Sequence, residues 1–274
     1  MYLGFEINGY QALSVSTMSD INAYTARAKG RIDKLAQYII GTYKGQQVLD
    51  AEKLSAELFP LAKYDVFLSH SHADQAKAID LAIALEKKGL KVFVDSSVWG
   101  YFGDLISTIA AAQAVPLGET REARMLKISA DIHMMLTGAL HQIIWQAEAF
   151  VFLRTEKSIP LTYQSTNRTL SPWLFSELQF SFQVQHVVPE RLRGVMLDRV
   201  MGMEQFNESL ESKQYLMAFK AFNEHLPKVE GGLFRNWHQL MSGDLQGCKV
   251  LDHLYAKFGL PTQYRTLRAQ LLKR

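Results

Sequence analysis

The segment from Tyr64 to Asp95 constrains the fold of this chain more than any other. Tyr64-Asp65-Val66-Phe67-Leu68-Ser69 is short, rich in β-branched and aromatic residues, and followed by polar positions, which is the texture of a buried strand. Ser71-His72-Ala73-Asp74 has the Ser-x-x-Asp spacing of a capping box and predicts a helix running to about Lys88. Ala78, Leu81, Ala82 and Leu85 recur at i, i+3, i+4 and i+7, one apolar stripe. Gly89 stands where a helix C-terminal glycine belongs. Leu90-Lys91-Val92-Phe93-Val94 then reads as a second strand, ending at Asp95. A strand–helix–strand unit of about 30 residues has the length of a right-handed parallel crossover.

The same alternation continues. Ser96 to Ala130 is irregular and contains Pro116-Leu117-Gly118, and a helix is expected from about Asp131 to Gln146. Ala149-Phe150-Val151-Phe152-Leu153 is apolar throughout, as a strand covered on both faces should be. Ser171-Pro172 is a helix start with proline at the first helical position, and this helix is expected to reach about Gln185. Val195-Met196-Leu197 is the expected fourth strand. Alternating helices and buried-type strands mean an open, mostly parallel α/β sheet. Ligands of such sheets sit at the carboxyl ends of the strands. Ser69, His70, Asp95 and the loop after Leu153 therefore belong to one expected rim.

The flanks read differently. Residues 1–62 are expected to form a mostly helical extension, residues 63–198 the α/β domain, and residues 199–274 a C-terminal helical region. Met1 to Val15 is apolar with Gly4 and Gly9 and reads as a hairpin or an edge strand. Ser19-Asp20 is placed to cap a helix to about Tyr43, because Ile32, Leu35, Ile39 and Ile40 recur at helical spacing. A short helix is expected over Asp50 to Leu58. Beyond Met203, residues Phe206, Leu210, Tyr215, Leu216, Phe219 and Phe222 predict a helix pair broken at Gly231-Gly232 and Gly243. A further helix is expected from Val250 to Phe258.

Composition narrows the function classes. Hydrophobic residues are 48% and charged residues 21% of the 274, normal for a globular chain. The formal net charge of +3 is too small to imply nucleic-acid binding. Cys248 is the single cysteine, so no internal disulfide can form and a reducing cytoplasm is the expected compartment. No signal-peptide pattern opens the sequence. The most apolar stretch, Leu136 to Leu153, is interrupted by His141, Gln142, Gln146 and Glu148, so no membrane association is expected. His70-x-His72 lacks a third ligand nearby, and no metal site is expected. The chain has no Gly-x-Gly-x-x-Gly after a strand, no P-loop and no Gly-x-Ser-x-Gly elbow.

Three segments together resemble a family. Tyr64 to Asp74 is similar to the first strand and following loop of bacterial TIR (Toll/interleukin-1 receptor) domains. Leu90 to Asp95 resembles their second strand. Ser171-Pro172-Trp173-Leu174-Phe175-Ser176-Glu177-Leu178 resembles the helix carrying the Trp-x-x-x-Glu pattern of the enzymatic members. The resemblance covers about half the chain, and the stretch from Trp99 to Ala130 is longer than the usual second loop and helix. It implies a flavodoxin-like open parallel sheet with helical N- and C-terminal extensions. It also implies an enzyme that hydrolyses or cyclises NAD, consumed as substrate rather than held as a cofactor. Many bacterial members act in anti-phage defence, either depleting NAD or making an ADP-ribose-derived signal that reaches a downstream effector protein. Enzymatic relatives often work as assemblies, so self-association is expected. The family also contains scaffolds with no activity, which is the alternative reading.

Cleaving the nicotinamide–ribose bond creates a ribosyl cation and releases a neutral base. Such a site needs a negative charge beside the ribose, an aromatic wall and exclusion of bulk water. Glu177 is the expected carboxylate. Trp173, at i−4 on the same helix face, is the expected wall; a core tryptophan beside a solvated glutamate is the plainer reading of the same spacing. Ser69 and His70 are expected to hold phosphate or ribose at the strand end, and Asp95 a ribose hydroxyl, although Asp95 also suits a turn. Trp99 is expected over the site, with core packing or self-association as the other reading for Trp99 and Tyr101.

Overall fold

Strands that are apolar in both directions need cover on both faces, and the central sheet of this chain is built that way. The computed structural model describes residues 1–13, 15–29, 38–43, 46–58, 63–94, 102–111, 118, 120–160, 167–195, 217–241 and 243–272. In chain order the strands are β1 (Leu3–Asn8), β2 (Ile39–Tyr43), β3 (Gln46–Leu49), β4 (Val66–Ser69), β5 (Val92–Val94), β6 (Ala149–Arg154), β7 (Arg168–Thr169), β8 (Phe219–Lys220) and β9 (Lys228–Glu230). The α-helices are α1 (Met18–Lys29), α2 (Ala51–Leu58), α3 (Gln75–Glu86), α4 (Phe102–Ala111), α5 (Arg121–Gln146), α6 (Pro172–Gln183), α7 (Gly231–Leu240), α8 (Cys248–Phe258) and α9 (Leu260–Leu271).

Five strands pair in parallel in the order β5-β4-β6-β1-β9. From β4 the chain crosses to β5 on one side, then returns past β4 to β6 on the other. The crossover direction thus reverses between β4 and β6, where open α/β sheets place their ligand crevice. The register aligns Ser69 with Phe152, Phe152 with Glu6, and Glu6 with Lys228. Two residues earlier, Phe67 aligns with Phe150 and Phe150 with Gly4. Aligned residues of parallel neighbours share a face, and the Phe67 and Phe150 rings stack at 5.6 Å on it.

Residues Met1 to Val15 do not form a hairpin or an edge strand. They supply β1, an interior strand with β6 on one side and β9 on the other, so one sheet draws on chain from before, within and after residues 63–198. The position beside β6 is therefore filled by β1. Of the expected strand Val195-Met196-Leu197, Val195 closes a 3₁₀ turn (Glu190–Val195), and Met196 and Leu197 lie outside the described residues.

Other local expectations shift for identifiable reasons. The first helix is described over Met18–Lys29, residues 30–37 lie outside the described residues, and Ile39 to Tyr43 is a strand paired antiparallel with β3. Ile39, Ile40, Thr42 and Tyr43 are β-branched or aromatic, and this preference prevails over the helical spacing. Helix α5 starts ten residues before Asp131, at Arg121, because the Thr120 side chain caps it by accepting from Ala123 N at 3.1 Å. The expected capping box does not form. Ser71 makes no side-chain cap bond, and a 3₁₀ turn (His72–Asp74) precedes α3. The Asp74 carboxylate instead accepts from Thr155 Oγ1 at 2.5 Å and pairs with Lys77 at 3.1 Å. Phe219 lies in β8 rather than in a helix, and residues 203–216 lie outside the described residues. Gly231 opens α7 instead of breaking a helix: a Cβ there would lie 2.1 Å from the Gly9 carbonyl oxygen, so only glycine admits this approach.

The chain leaving β1 is fixed to α3 by one carboxylate. Asp80 accepts from Leu13 N (2.8 Å), Val15 N and Ser16 N (both 3.2 Å), Ser16 Oγ (2.6 Å) and Tyr10 Oη (3.3 Å). Among the described residues, no helix is long and apolar enough to cross a membrane.

Candidate functional site

The carboxyl ends of β4 and β6 are tied together by the loops that follow them. Besides the Thr155–Asp74 bond, Lys157 Nζ donates to the Ala73 carbonyl at 3.1 Å. Thr155 and Ser158 brace each other: Thr155 N donates to Ser158 Oγ at 2.8 Å, and Ser158 Oγ donates to the Thr155 carbonyl at 2.9 Å.

Helix α6 lies over this edge. Its start is dictated locally: Ser171 accepts from Leu174 N at 3.3 Å, and Pro172 supplies the fixed φ of the first turn. From that start, Leu174, Glu177, Leu178 and Ser181 fall on the buried face. Glu177 meets the end of β4, where Ser69 Oγ donates to Glu177 Oε2 at 2.6 Å. Both residues are buried, Ser69 at 0% and Glu177 at 1% exposure. This bond lies at the short end of the O–H···O range.

The remaining expected residues divide. His70 is buried beside Ser69, with its Nδ1 at 3.2 Å from the Leu68 carbonyl, so the imidazole is oriented by its own strand end. Trp173 lies one turn before Glu177 but is half-buried, and its ring stacks on His133 of α5 at 5.1 Å and 7°. One turn beyond Glu177, His141 of α5 stacks on Phe180 at 4.1 Å, and its Nε2 lies 2.9 Å from Ser176 Oγ. Burial lowers His141 to about 4, so it is neutral there. The structure thus joins Ser69, His70 and Glu177 at one edge, with Trp173 on the adjoining α5–α6 seam. Asp95, Trp99 and Tyr101 lie outside the described residues.

Glu6, like Asp80, is a buried carboxylate that belongs to no sequence motif. Glu6 sits in the row of Ser69 and Phe152, on the same face, at 0% exposure. Asn223 Nδ2 donates to its Oε2 at 2.6 Å, and Arg154 Nη1 lies 3.3 Å from its Oε1. Burial pushes the Glu6 carboxyl up, opposed by the Asn223 hydrogen bond and by the charges of Arg154 and Lys228. The signal was a lone acid inside an apolar run, Leu3 to Ile7, since a buried strand keeps a carboxylate only where partners wait for it.

Elsewhere, a cleft of about 310 Å³ between α1 and α3 is lined by Asp20, Ala23, Ile83, Glu86 and Lys87, away from the strand ends. Among the described residues no group of three or more His, Cys, Asp or Glu side chains is arranged to hold a metal ion. No family model, no curated protein and no solved structure matches the chain.

Proposed function

We propose that this protein cleaves the nicotinamide–ribose bond of NAD, with Glu177 as the carboxylate beside the reacting ribose. One observation carries the reading: the Ser69–Glu177 pair stands at the carboxyl edge of a parallel sheet, next to the point where the crossovers reverse. As the C1′–N bond breaks, its electron pair leaves with nicotinamide and positive charge spreads over C1′ and the ring oxygen. A carboxylate held in a water-poor site stabilises that charge more than bulk water does. Ser69 orients the carboxylate through the 2.6 Å bond. Addition of water to C1′ with loss of a proton gives ADP-ribose; attack by an adenine nitrogen gives a cyclic product instead. By the family resemblance, the reaction belongs to bacterial anti-phage defence in the cytoplasm, carried out by an assembled form whose nucleotide product can act on an effector.

The burial of Glu177 bears on both readings. At 1% exposure the carboxylate is closed to substrate in this arrangement, so the cleavage reading requires that its cover open first. The same burial favours the second reading, in which Glu177 only anchors α6 to β4 and the domain is a non-enzymatic TIR scaffold. Incubation with NAD at dilute and at high protein concentration, with nicotinamide measured by chromatography, separates the two. Release that vanishes in Glu177→Ala supports cleavage. Absence of nicotinamide under every condition supports the scaffold, and equal release from both proteins removes Glu177 from its role. Mass analysis of the product distinguishes hydrolysis from cyclisation.

A further inference from the structure

The carboxyl edge of the sheet carries a second polar group on the face that holds Ser69, and its outermost member is a guanidinium. Glu6 is fixed from two directions, by Asn223 at 2.6 Å and by Arg154 at 3.3 Å. Asn223 is itself fixed, its Oδ1 accepting from Asn167 Nδ2 at 2.6 Å. The same Asn167 amide donates to the Ala221 carbonyl at 2.7 Å. Asn167 holds a left-handed φ of 49°, a conformation that asparagine tolerates better than most residues.

Stability is weak ground for keeping such a group. A buried ion pair is commonly no better than apolar residues of the same volume, because desolvation offsets the attraction. What the group does determine is the aim of Arg154. The Arg154 side chain is 17% exposed and Glu6 0%, so the arginine is the member that reaches the surface of the edge. Among the described residues, its hydrogen bond to Glu6 is the one its guanidinium makes, and it occupies only one arm of the fork. Strand geometry places Arg154 near the candidate site. It is one strand over from Ser69 (about 4.8 Å) and two residues further along (about 6.6 Å), hence about 8 Å between Cα atoms. In a dinucleotide the cleaved ribose carries its phosphate on the 5′ carbon, several bonds from the reacting carbon, so a phosphate site must stand off by a comparable distance.

We propose that Arg154 is the phosphate-binding residue of this edge, holding the diphosphate of a dinucleotide, with Glu6 and Asn223 as its positioning residues. This rests on the NAD-cleavage reading for the identity of the ligand. A planar guanidinium matches phosphate oxygens two at a time, and Glu6 presets its plane before the ligand arrives.

Calorimetric titration with ADP-ribose tests it, at low and at moderate salt. The parent protein is expected to bind, with affinity that falls as salt rises. Arg154→Gln is expected to lose about 10- to 100-fold in affinity and to show a flatter salt dependence. Arg154→Lys keeps the charge and the pairing with Glu6 but not the fork, and is expected to lose about 3- to 10-fold. Glu6→Gln leaves the arginine charged but less well aimed, so affinity falls while the salt dependence stays that of the parent. Unchanged affinity in either Arg154 variant, or no ADP-ribose binding by the parent, overturns the proposal; should Arg154→Gln fail to fold, Arg154→Lys decides alone. ADP-ribose binding that depends on Arg154, with no nicotinamide released at dilute or at high protein concentration, overturns the cleavage reading and leaves the phosphate site standing.

Discussion

Ser69 Oγ donates to Glu177 Oε2 at 2.6 Å, joining positions 108 residues apart across the β4–α6 contact. Both partners are buried, so neither has bulk water as a substitute. Removing the donor leaves a buried carboxylate short of a hydrogen bond, at a cost of about 1–3 kcal/mol. Ser69→Ala is therefore expected to lower stability by that amount in urea unfolding. Combined with Glu177→Gln, the loss is expected to be smaller than the sum of the single variants, because the two share one interaction. Any nicotinamide release by the parent is expected to fall with Ser69→Ala as well.

Asp80 satisfies three backbone amides, one hydroxyl and one phenol of the segment leaving β1. Asp80→Ala leaves the Leu13 amide and the Tyr10 phenol without their acceptor in the interior, while the half-buried Val15 and Ser16 groups can turn to water, with an expected loss of about 3 kcal/mol. Asp80→Asn keeps the shape and one acceptor oxygen and is expected to lose less. Denaturant midpoints at constant m-value measure both.

Glycine is required at 231 for a steric reason and tolerated at 4 for another. A Cβ at Gly231 would meet the backbone of Gly9 at 2.1 and 2.6 Å, whereas a Cβ at Gly4 would meet the movable end of Leu226, Cδ2, at 2.7 Å. Gly231→Ala is expected to cost about 3 kcal/mol or more, and Gly4→Ala about 1 kcal/mol. Thermal melting of the two variants side by side checks the order, and the reverse order contradicts this packing.

Acid is expected to destabilise the fold through buried histidines. His225 meets Ser181 Oγ at 3.0 Å, and His186 meets Tyr264 Oη at 3.0 Å and Arg268 Nη1. Burial lowers His225 to about 3, and burial with the Arg268 charge lowers His186 to about 4. Their unfolded value is about 6.5. Because the folded values are depressed, the unfolded chain takes up protons first. Stability is full above about pH 6.5 and is lost as pH falls toward 4 and then 3, with a slope approaching about 1.4 kcal/mol per pH unit for each histidine. Unfolding free energies between pH 7 and pH 4 measure the slope, and His225→Gln is expected to flatten it.

The sequence by itself determined what depends on neighbours along the chain. The texture of Val66 to Ser69 and of Ala149 to Leu153 required strands buried on both faces, and these residues are β4 and most of β6. The Ser171-Pro172 start fixed where α6 begins, whereas packing decided that Glu177 is buried and Trp173 only half-buried. At the level of sequence, Ser69 and Glu177 belong to one site through the family resemblance alone, and a hydrogen bond between them carries no sequence signature. Tertiary structure alone decided where β1 goes. Nothing local distinguishes an apolar strand at an edge from one inside a sheet, because the difference lies in partners more than a hundred residues away, here Ala149 to Arg154 and Lys228 to Glu230. That choice sets Glu6 in the row of Ser69 and brings Arg154 and Asn223 to it, an arrangement that no spacing along the chain could express.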